Sequence, residues 1–439
     1  MVTGSDETEY SVADDLLSKH PEIKVFDTFN LNHIGDASLV VRSVAYDENN
    51  VEVGEAARRR IQVLTYPQAV GDVLKDYRTI AVAGCNGKTT TSGMLSSMLT
   101  DCGLDVSYIV GAPLRGGGDN ARLGKSSWFV IEADEYRDAF LNYAPSVGIG
   151  VITNIGHDHP DYFPTLDSVL ASFREFIIRA KSDSKLLICG DDVGNQVLLD
   201  KINSRDTRIE TYGVNPRCNW LIDRVTQGER LSTFRLRHNR VEIGTFEIKI
   251  PGRHNILNAA ASTAVGSMLG VEPGKMEESL VDYGGSRRRF EPLYDNGKFA
   301  IIDDYAHHPM AIEATIMAAR QRYPGKEISA VFQPHTYSRT SVLLENFAIA
   351  LSKADRVFFL DIYGSVRENR GGHLVTIMDL VNATKMHAKS VSLVEDNEQL
   401  VEDLFKEASD KPEVILTMGA GDIGRIIGAN LSERLKRND

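Results

Sequence analysis

The chain predicts an α/β fold of doubly wound, mostly parallel sheets, and three observations carry that prediction. Short apolar runs alternate with segments of helical period from about residue 78 to 284. One of these runs passes through a glycine turn straight into a helix start, in TIAVAGCNGKTTT from Thr79 to Thr91. After Gly284-Gly285-Ser286 the alternation begins again, which marks a hinge-like boundary and a second doubly wound unit.

In chain order, residues 1 to 77 read as a small α/β unit with strands from Ile23 to Phe26 and Ser38 to Val44 and a helix from Val51 to Arg60. Met1 to Asp6 has the character of a strand end entering a ligand-binding loop. Residues 78 to 284 form the central unit. There Ile80 to Ala83 is a buried strand, and Met94, Leu95, Met98 and Leu99 share one face of the helix after it. Further strands are expected from Asp105 to Val110, Trp128 to Ala133, Val147 to Thr153 and Lys185 to Cys189, with a helix from Leu166 to Ala180. Ser232 to Leu236 and Val241 to Ile250 alternate with period two, as antiparallel strands do. Pro251-Gly252 then breaks the pattern before a small-residue helix from Ile256 to Leu269. The last unit, 285 to 439, carries strands from Phe299 to Asp303, Ile328 to Phe332, Arg356 to Leu360, Ser390 to Val394 and Val414 to Met418.

A chain of 439 residues, 42% hydrophobic, buries large cores and divides into two or three domains. Its net charge of −12 argues against a broad nucleic-acid or anionic-membrane surface and leaves soluble small-molecule metabolism, with local anion pockets allowed. Cys85, Cys102, Cys189 and Cys218 form no C-x-x-C pair, so neither a structural zinc nor a disulfide framework is indicated. No apolar run reaches membrane-spanning length, and no basic segment precedes an apolar one at the start. The expectation is a cytoplasmic protein, monomeric or weakly dimeric.

Three stretches carry chemistry. In G-x-x-G-K-T-T, Gly84, Cys85, Asn86 and Gly87 precede Lys88, Thr89 and Thr90. Glycines let backbone N–H groups converge on a phosphate, the helix N-terminus adds partial positive charge, Lys88 adds a full one, and a threonine hydroxyl suits Mg²⁺. The general P-loop pattern would want glycine at Val82; the alternative is a strand-to-helix turn with an incidental lysine. Glu132-Ala133-Asp134-Glu135 ends the strand from Trp128, where open α/β sheets bind ligands; its alternative is a solvated acidic turn. His157, Asp158, His159 and Asp161 follow the strand from Val147 but lack zinc spacing, so one imidazole at the edge of a Mg²⁺ site is the reading.

The ordered set GCNGKTTT, EADEYRDAFL, TNIGHDHPDYF, PGRHNILNAAAS, GGSRRRF, DDYAHHP, FQPHTYSRT and GAGDI resembles the Mur ligase family over nearly the whole chain. The resemblance implies three domains: an N-terminally incomplete Rossmann-like unit for a UDP-sugar, a central P-loop ATPase domain and a Rossmann-like C-terminal domain. It implies ATP and Mg²⁺ as cofactors, UDP-N-acetylmuramate and L-alanine as substrates, and amide formation through an acyl phosphate. Carried over, Lys88, Glu132 and His159 are catalytic, and Thr89, Glu132 and His159, rather than His157, hold the metal. Asn255, Asn258, Arg289 and Asp304 match nucleotide-contacting positions; for Arg287 to Arg289 a solvated basic linker is the alternative. Tyr305, His335 and Arg339 match the amino-acid pocket, and Ser5, Asp6 and Ser43 the UDP side.

The chain departs from the family pattern at Cys85-Asn86, usually Thr or Ala then His, and at Thr336, an arginine in many relatives. The carboxylate clamp therefore falls to Arg339. The family's first strand and diphosphate-cradling glycine turn do not precede Val2, so an exposed sheet edge is expected in the first unit. His335 and His308 are the candidate bases for the amine. A sister ligase adding another amino acid or a recycled peptide, and a non-catalytic ATP-binding protein, are the competing functions.

Overall fold

The structure is a computed structural model that describes residues 2–6, 17–202, 206, 208–364, 375–408 and 411–437. Met1, part of the predicted strand end, lies outside them. Two compact units emerge, Met1–Lys75 and Asp76–Asp439. The second contains both large sheets.

In the first unit, β1 (Thr3–Ser5) pairs in parallel with β2 (Lys24–Phe26), and β3 (Leu39–Arg42) in parallel with β4 (Gln62–Thr65). Two separate two-stranded ladders thus stand where one incomplete sheet was expected. The helix Val51–Arg58 starts on Asn50, whose side chain accepts from Glu52 and Val53 N–H. A second helix, Tyr66–Leu74, opens with a Thr65–Gln68 capping box. Ser5 Oγ donates to Glu52 Oε1 at 2.8 Å, and His33 Nδ1 lies 2.9 Å from the same oxygen.

The central sheet of the second unit comprises β5 (Arg78–Ala83), β6 (Ser107–Ile109), β7 (Ala121–Arg122), β8 (Trp128–Glu132), β9 (Val147–Ile152), β10 (Lys185–Cys189), β11 (Ile209–Gly213), β12 (Trp220–Gln227), β13 (Ser232–His238) and β14 (Val241–Ile248). Their order is β14-β13-β12-β11-β10-β9-β5-β8-β6-β7. Pairing is parallel from β6 through β12, while β7, β13 and β14 join antiparallel, as the change of period at Ser232 anticipates. Because β5 lies between β8 and β9, the loops leaving all three strands open side by side at one edge of the sheet. The helices Lys88–Asp101 and Arg253–Met268 cover one face; Met94, Leu95, Met98 and Leu99 meet Ala260, Ala261, Ala264 and Val265 in the core. Small alanines let the two helices approach closely. The second helix begins at Arg253, three residues before the predicted start, because Gly252 takes φ +102° and turns the chain into it directly.

The second sheet is built from β15 (Glu291–Asp295), β16 (Phe299–Asp304), β17 (Glu327–Phe332), β18 (Arg356–Phe359), β19 (Val391–Leu393) and β20 (Glu413–Met418), in the order β15-β16-β20-β17-β18-β19. All neighbours except β15 and β16 are parallel, and apolar clusters fill both faces, the signature of a doubly wound sheet. Loops after the adjacent strands β16, β20 and β17 carry DDYAHHP, GAGDI and FQPH. At the hinge, Arg115 N–H donates to Gly285 O at 2.8 Å and Arg287 N–H to Pro113 O at 2.9 Å, tying it to the central sheet's side of the unit. No described helix is long and apolar enough to cross a membrane.

Candidate active site

Gly84 and Gly87 have φ of +131° and +83°, values L-residues rarely adopt. A Cβ on Gly84 would collide with Thr153 Oγ1, and one on Gly87 would stand 2.8 Å from Asn258 Oδ1. The turn between them is sewn to the segment after β9. Asn86 N–H donates to Asn154 Oδ1 at 2.9 Å, while Thr153 Oγ1 and Asn154 Nδ2 donate to Asn86 O at 2.6 and 2.7 Å. Gly87 then starts a helix with no side-chain cap, so its first N–H groups are left for a ligand.

Lys88 is nearly buried and sits 2.7 Å from Glu135 Oε2 and 3.5 Å from Asp134. Burial alone would lower its ammonium, but Glu135 and then Asp134 outweigh it and hold the charge firmly. Burial pushes Glu135 up to about 7, against the pull of Lys88. Thr89 Oγ1 donates to Glu132 Oε1 at 3.0 Å, and Gly111 N–H donates to Glu132 Oε2 at 2.6 Å.

The predicted metal set therefore divides. Glu132 stands with Thr89, whereas His159 groups with Asp134 and Glu135, their ligand atoms all within 4.8 Å. The cause is local: His159 takes φ +53°, and its ring packs on Tyr136 with centroids 4.5 Å apart. Glu135, the last carboxylate of EADE, is the residue that sequence reasoning did not single out.

Cations arrive from beyond the hinge. Arg289 Nη2 donates to Thr89 Oγ1 at 2.8 Å, its guanidinium lies over Tyr305 at 5.0 Å, and its Nε is buried without a hydrogen-bond partner. Arg288 turns the other way, to Asp303 at 3.1 Å and Gly419 O at 2.7 Å, so these two arginines are not part of a solvated linker, whereas Arg287 is exposed. Asp304, expected at the nucleotide, is taken up by backbone: Phe290 and Ala306 N–H donate to its two oxygens at 2.7 and 2.8 Å. Burial raises it to about 6. It shapes the turn that presents Arg289 and Tyr305. Asn255 and Asn258 lie one turn apart on the Arg253–Met268 helix, both buried and joined at 3.1 Å.

Arg339 is not free. Its Nε and Nη2 lie 2.9 and 2.8 Å from Asp158 Oδ1, and its Nη1 donates to His335 O at 3.2 Å. Arg339 drives the Asp158 carboxyl well below its ordinary range, overcoming burial. His307 Nδ1 lies 2.9 Å from Tyr305 O, and burial, reinforced by Arg339, holds the ring well below the usual histidine range. His308 Nδ1 instead accepts from Met310 N–H at 3.4 Å. Ser5, Asp6 and Ser43 belong to the first unit.

A family model of the Mur ligase middle domain matches residues 82–266, and one of the Mur ligase glutamate ligase domain matches 288–421. A UDP-N-acetylmuramate–L-alanine ligase of Caldanaerobacter subterraneus subsp. tengcongensis is 37% identical over 99% of this chain and 93% of its own. This chain belongs to the Mur ligase family. In fold it is similar to a UDP-N-acetylmuramate–alanine ligase of Thermotoga maritima, with a TM-score of 0.82 and 24% identity, covering 100% of this chain and 94% of that one. A MurF ligase of Thermotoga maritima solved with ADP gives a TM-score of 0.68 at 17% identity, covering 94% and 98%.

For a Mur ligase the residues present fit both a nucleotide and a hard divalent cation. An uncapped helix N-terminus, Lys88 and the unpartnered Nε of Arg289 offer donors to phosphate. Thr89, Glu132, Asp134 and Glu135 offer mostly oxygen ligands, the set Mg²⁺ prefers, with His159 the single imidazole.

Proposed function

We propose that this chain catalyses ATP-dependent joining of L-alanine to the lactyl carboxylate of UDP-N-acetylmuramate, a step of peptidoglycan-precursor synthesis. The observation that carries the reading is the meeting at one hydroxyl, Thr89 Oγ1, of Glu132 from the central sheet and Arg289 from beyond the hinge. This supports a single reacting centre shared by the phosphate loop and the segment beyond the hinge.

ATP is held by the N–H groups at the start of the Lys88–Asp101 helix and by Lys88, with Asn255 and Asn258 on the nucleoside side. Thr89 and Glu132 on one side, and His159 with Asp134 and Glu135 on the other, would hold Mg²⁺, whose charge would offset that of the phosphates. A carboxylate oxygen of the sugar-borne acid attacks the γ-phosphorus and ADP departs, leaving an acyl phosphate. Lys88 and Arg289 meet the charge that gathers on the transferring group, where most phosphoryl-transfer catalysis lies. The amine nitrogen of L-alanine then attacks the acyl carbon and phosphate leaves.

The amine attacks in its unprotonated form, and as its nitrogen bonds to the acyl carbon it becomes acidic and hands a proton to an acceptor. Of the three histidines near Arg339, His308 and His335 each present Nδ1 to a donor, Met310 N–H at 3.4 Å and Arg339 Nη1 at 3.3 Å. His307 donates its Nδ1–H to Tyr305 O, so its Nε2 keeps a lone pair. We therefore assign the amine's hydrogen-bond acceptor to His307 in place of His308 or His335. Under this reading residues 1–77 bind the UDP-sugar, 78–284 the ATP and 285–439 the amino acid.

Phosphate release by the purified chain tests the function. It is expected to need ATP, Mg²⁺, UDP-N-acetylmuramate and L-alanine together, with glycine, L-serine or a tripeptide serving poorly. Release without the UDP-sugar, or preference for the tripeptide, would overturn it.

A further inference from the structure

We propose that Asp158 is a positioning residue for amino-acid capture, acting through Arg339. The inference rests on the ligase reading above and adds to it a residue that touches neither nucleotide nor amino acid.

The geometry is that of a fixed arm. Asp158 Oδ1 takes both Nε and Nη2 of Arg339, at 2.9 and 2.8 Å, across 181 positions of sequence. The two side chains are only 6% and 4% exposed. Asp158 Oδ1 also accepts the N–H of His159 at 2.7 Å, which holds that residue's left-handed backbone in place. On the far side, Arg339 Nη1 reaches His335 O. Held at both ends, the guanidinium cannot swing. Of its five N–H donors, Asp158 takes two and His335 takes two through its O and Nδ1, which leaves one Nη2–H for a substrate carboxylate.

The charges around the arm explain why Asp158 is needed. The next largest charges acting on Asp158 after Arg339 are the imidazoles of His159, His308 and His307, and the Cys85 thiol also faces it. The neighbouring position 336 is Thr336, whose hydroxyl caps the helix Tyr337–Val342, so no second guanidinium stands there. Without Asp158 the buried Arg339 would lose its hydrogen-bonded counter-charge and turn toward water or substrate phosphate. Because His159 precedes Pro160 on the metal-facing loop, the same carboxylate ties the phosphate side of the site to the amine side.

The test is steady-state kinetics on the full chain carrying Asp158→Asn, varying each substrate in turn. The KM for L-alanine is expected to rise roughly tenfold to a hundredfold, with the KM values for ATP and UDP-N-acetylmuramate within about twofold. Asp158→Glu, which keeps the charge, is expected to fall between wild type and Asp158→Asn, and it carries the test alone if the amide variant is insoluble. Placed in an Arg339→Ala background, Asp158→Asn is expected to add nothing further to the KM for L-alanine. An unchanged KM for L-alanine, an equal rise in all three KM values, or multiplicative effects in the double variant would each overturn the assignment. Wild-type protein without alanine-dependent phosphate release would fail the ligase reading itself, whereas an active wild type with indifferent variants would fail this inference alone.

Discussion

Replacing Lys88 with methionine removes one cation from the phosphate loop while keeping most of the side-chain volume. If Lys88 meets charge that develops on the transferring phosphoryl group, kcat falls by about 10²–10³, equivalent to about 3–4 kcal/mol. The same change strands Glu135, which is 1% exposed and bonded to Lys88 at 2.7 Å. Breaking a buried pair costs about 3–5 kcal/mol when the remaining charge has no outlet. Here it has one, because burial already lifts Glu135 to about 7. The sign follows from the raised folded value: near pH 5 the carboxyl is protonated in the folded variant and the deficit is small. The unfolded carboxyl ionises above about 4.5 in both proteins, but as pH rises through about 7 the folded wild type ionises beside Lys88 while the folded variant stays protonated. The stability gap between wild type and Lys88→Met should therefore widen toward pH 8, by up to about 1.4 kcal/mol per pH unit. Denaturant titration of metal-free protein at pH 5, 6, 7 and 8, beside single-turnover phosphate release, measures both effects. A kcat within tenfold of wild type, or a stability gap flat with pH, would refute the reasoning.

Two more outcomes follow from the same geometry. Arg289→Ala should lower kcat at least a hundredfold with little change in Tm. Arg289→Lys should restore little of it, since one ammonium cannot both lie over Tyr305 at 5.0 Å and reach Thr89 Oγ1 at 2.8 Å; full recovery in a kinetic assay would contradict this. Gly87→Ala places a Cβ at φ +83° only 2.8 Å from Asn258 Oδ1, and should cost about 1–2 kcal/mol in calorimetry and raise the KM for ATP; an unshifted Tm would show that the turn is not so constrained.

Much of this architecture was legible because parallel, doubly covered strands read as uninterrupted apolar runs, as Ile80 to Ala83 and Val147 to Ile152 do. The phosphate loop was legible because its glycines, lysine and threonine are neighbours in sequence. What escaped was long-range. Nothing near Glu135 announces Lys88, 47 positions away, and nothing near Asp158 announces Arg339. Nor does the chain alone reveal that Phe290 and Ala306 N–H each donate to an oxygen of Asp304. Some misses had signals. The helix Tyr66–Leu74 is announced by Thr65, Pro67 and Gln68, a capping box with proline in the first turn, although only the strands and helix before it were read. The start at Arg253 had none, since Arg-His-Asn shows no periodicity and Pro251-Gly252 reads as a stop.

The central claim is that ATP energy passes into the sugar-borne acid before the amine arrives. Labelling the lactyl carboxylate of UDP-N-acetylmuramate with ¹⁸O and following released phosphate by mass spectrometry tests it most directly. One labelled oxygen should appear in inorganic phosphate for each amide formed, whereas unlabelled phosphate alongside amide product would contradict the acyl-phosphate route.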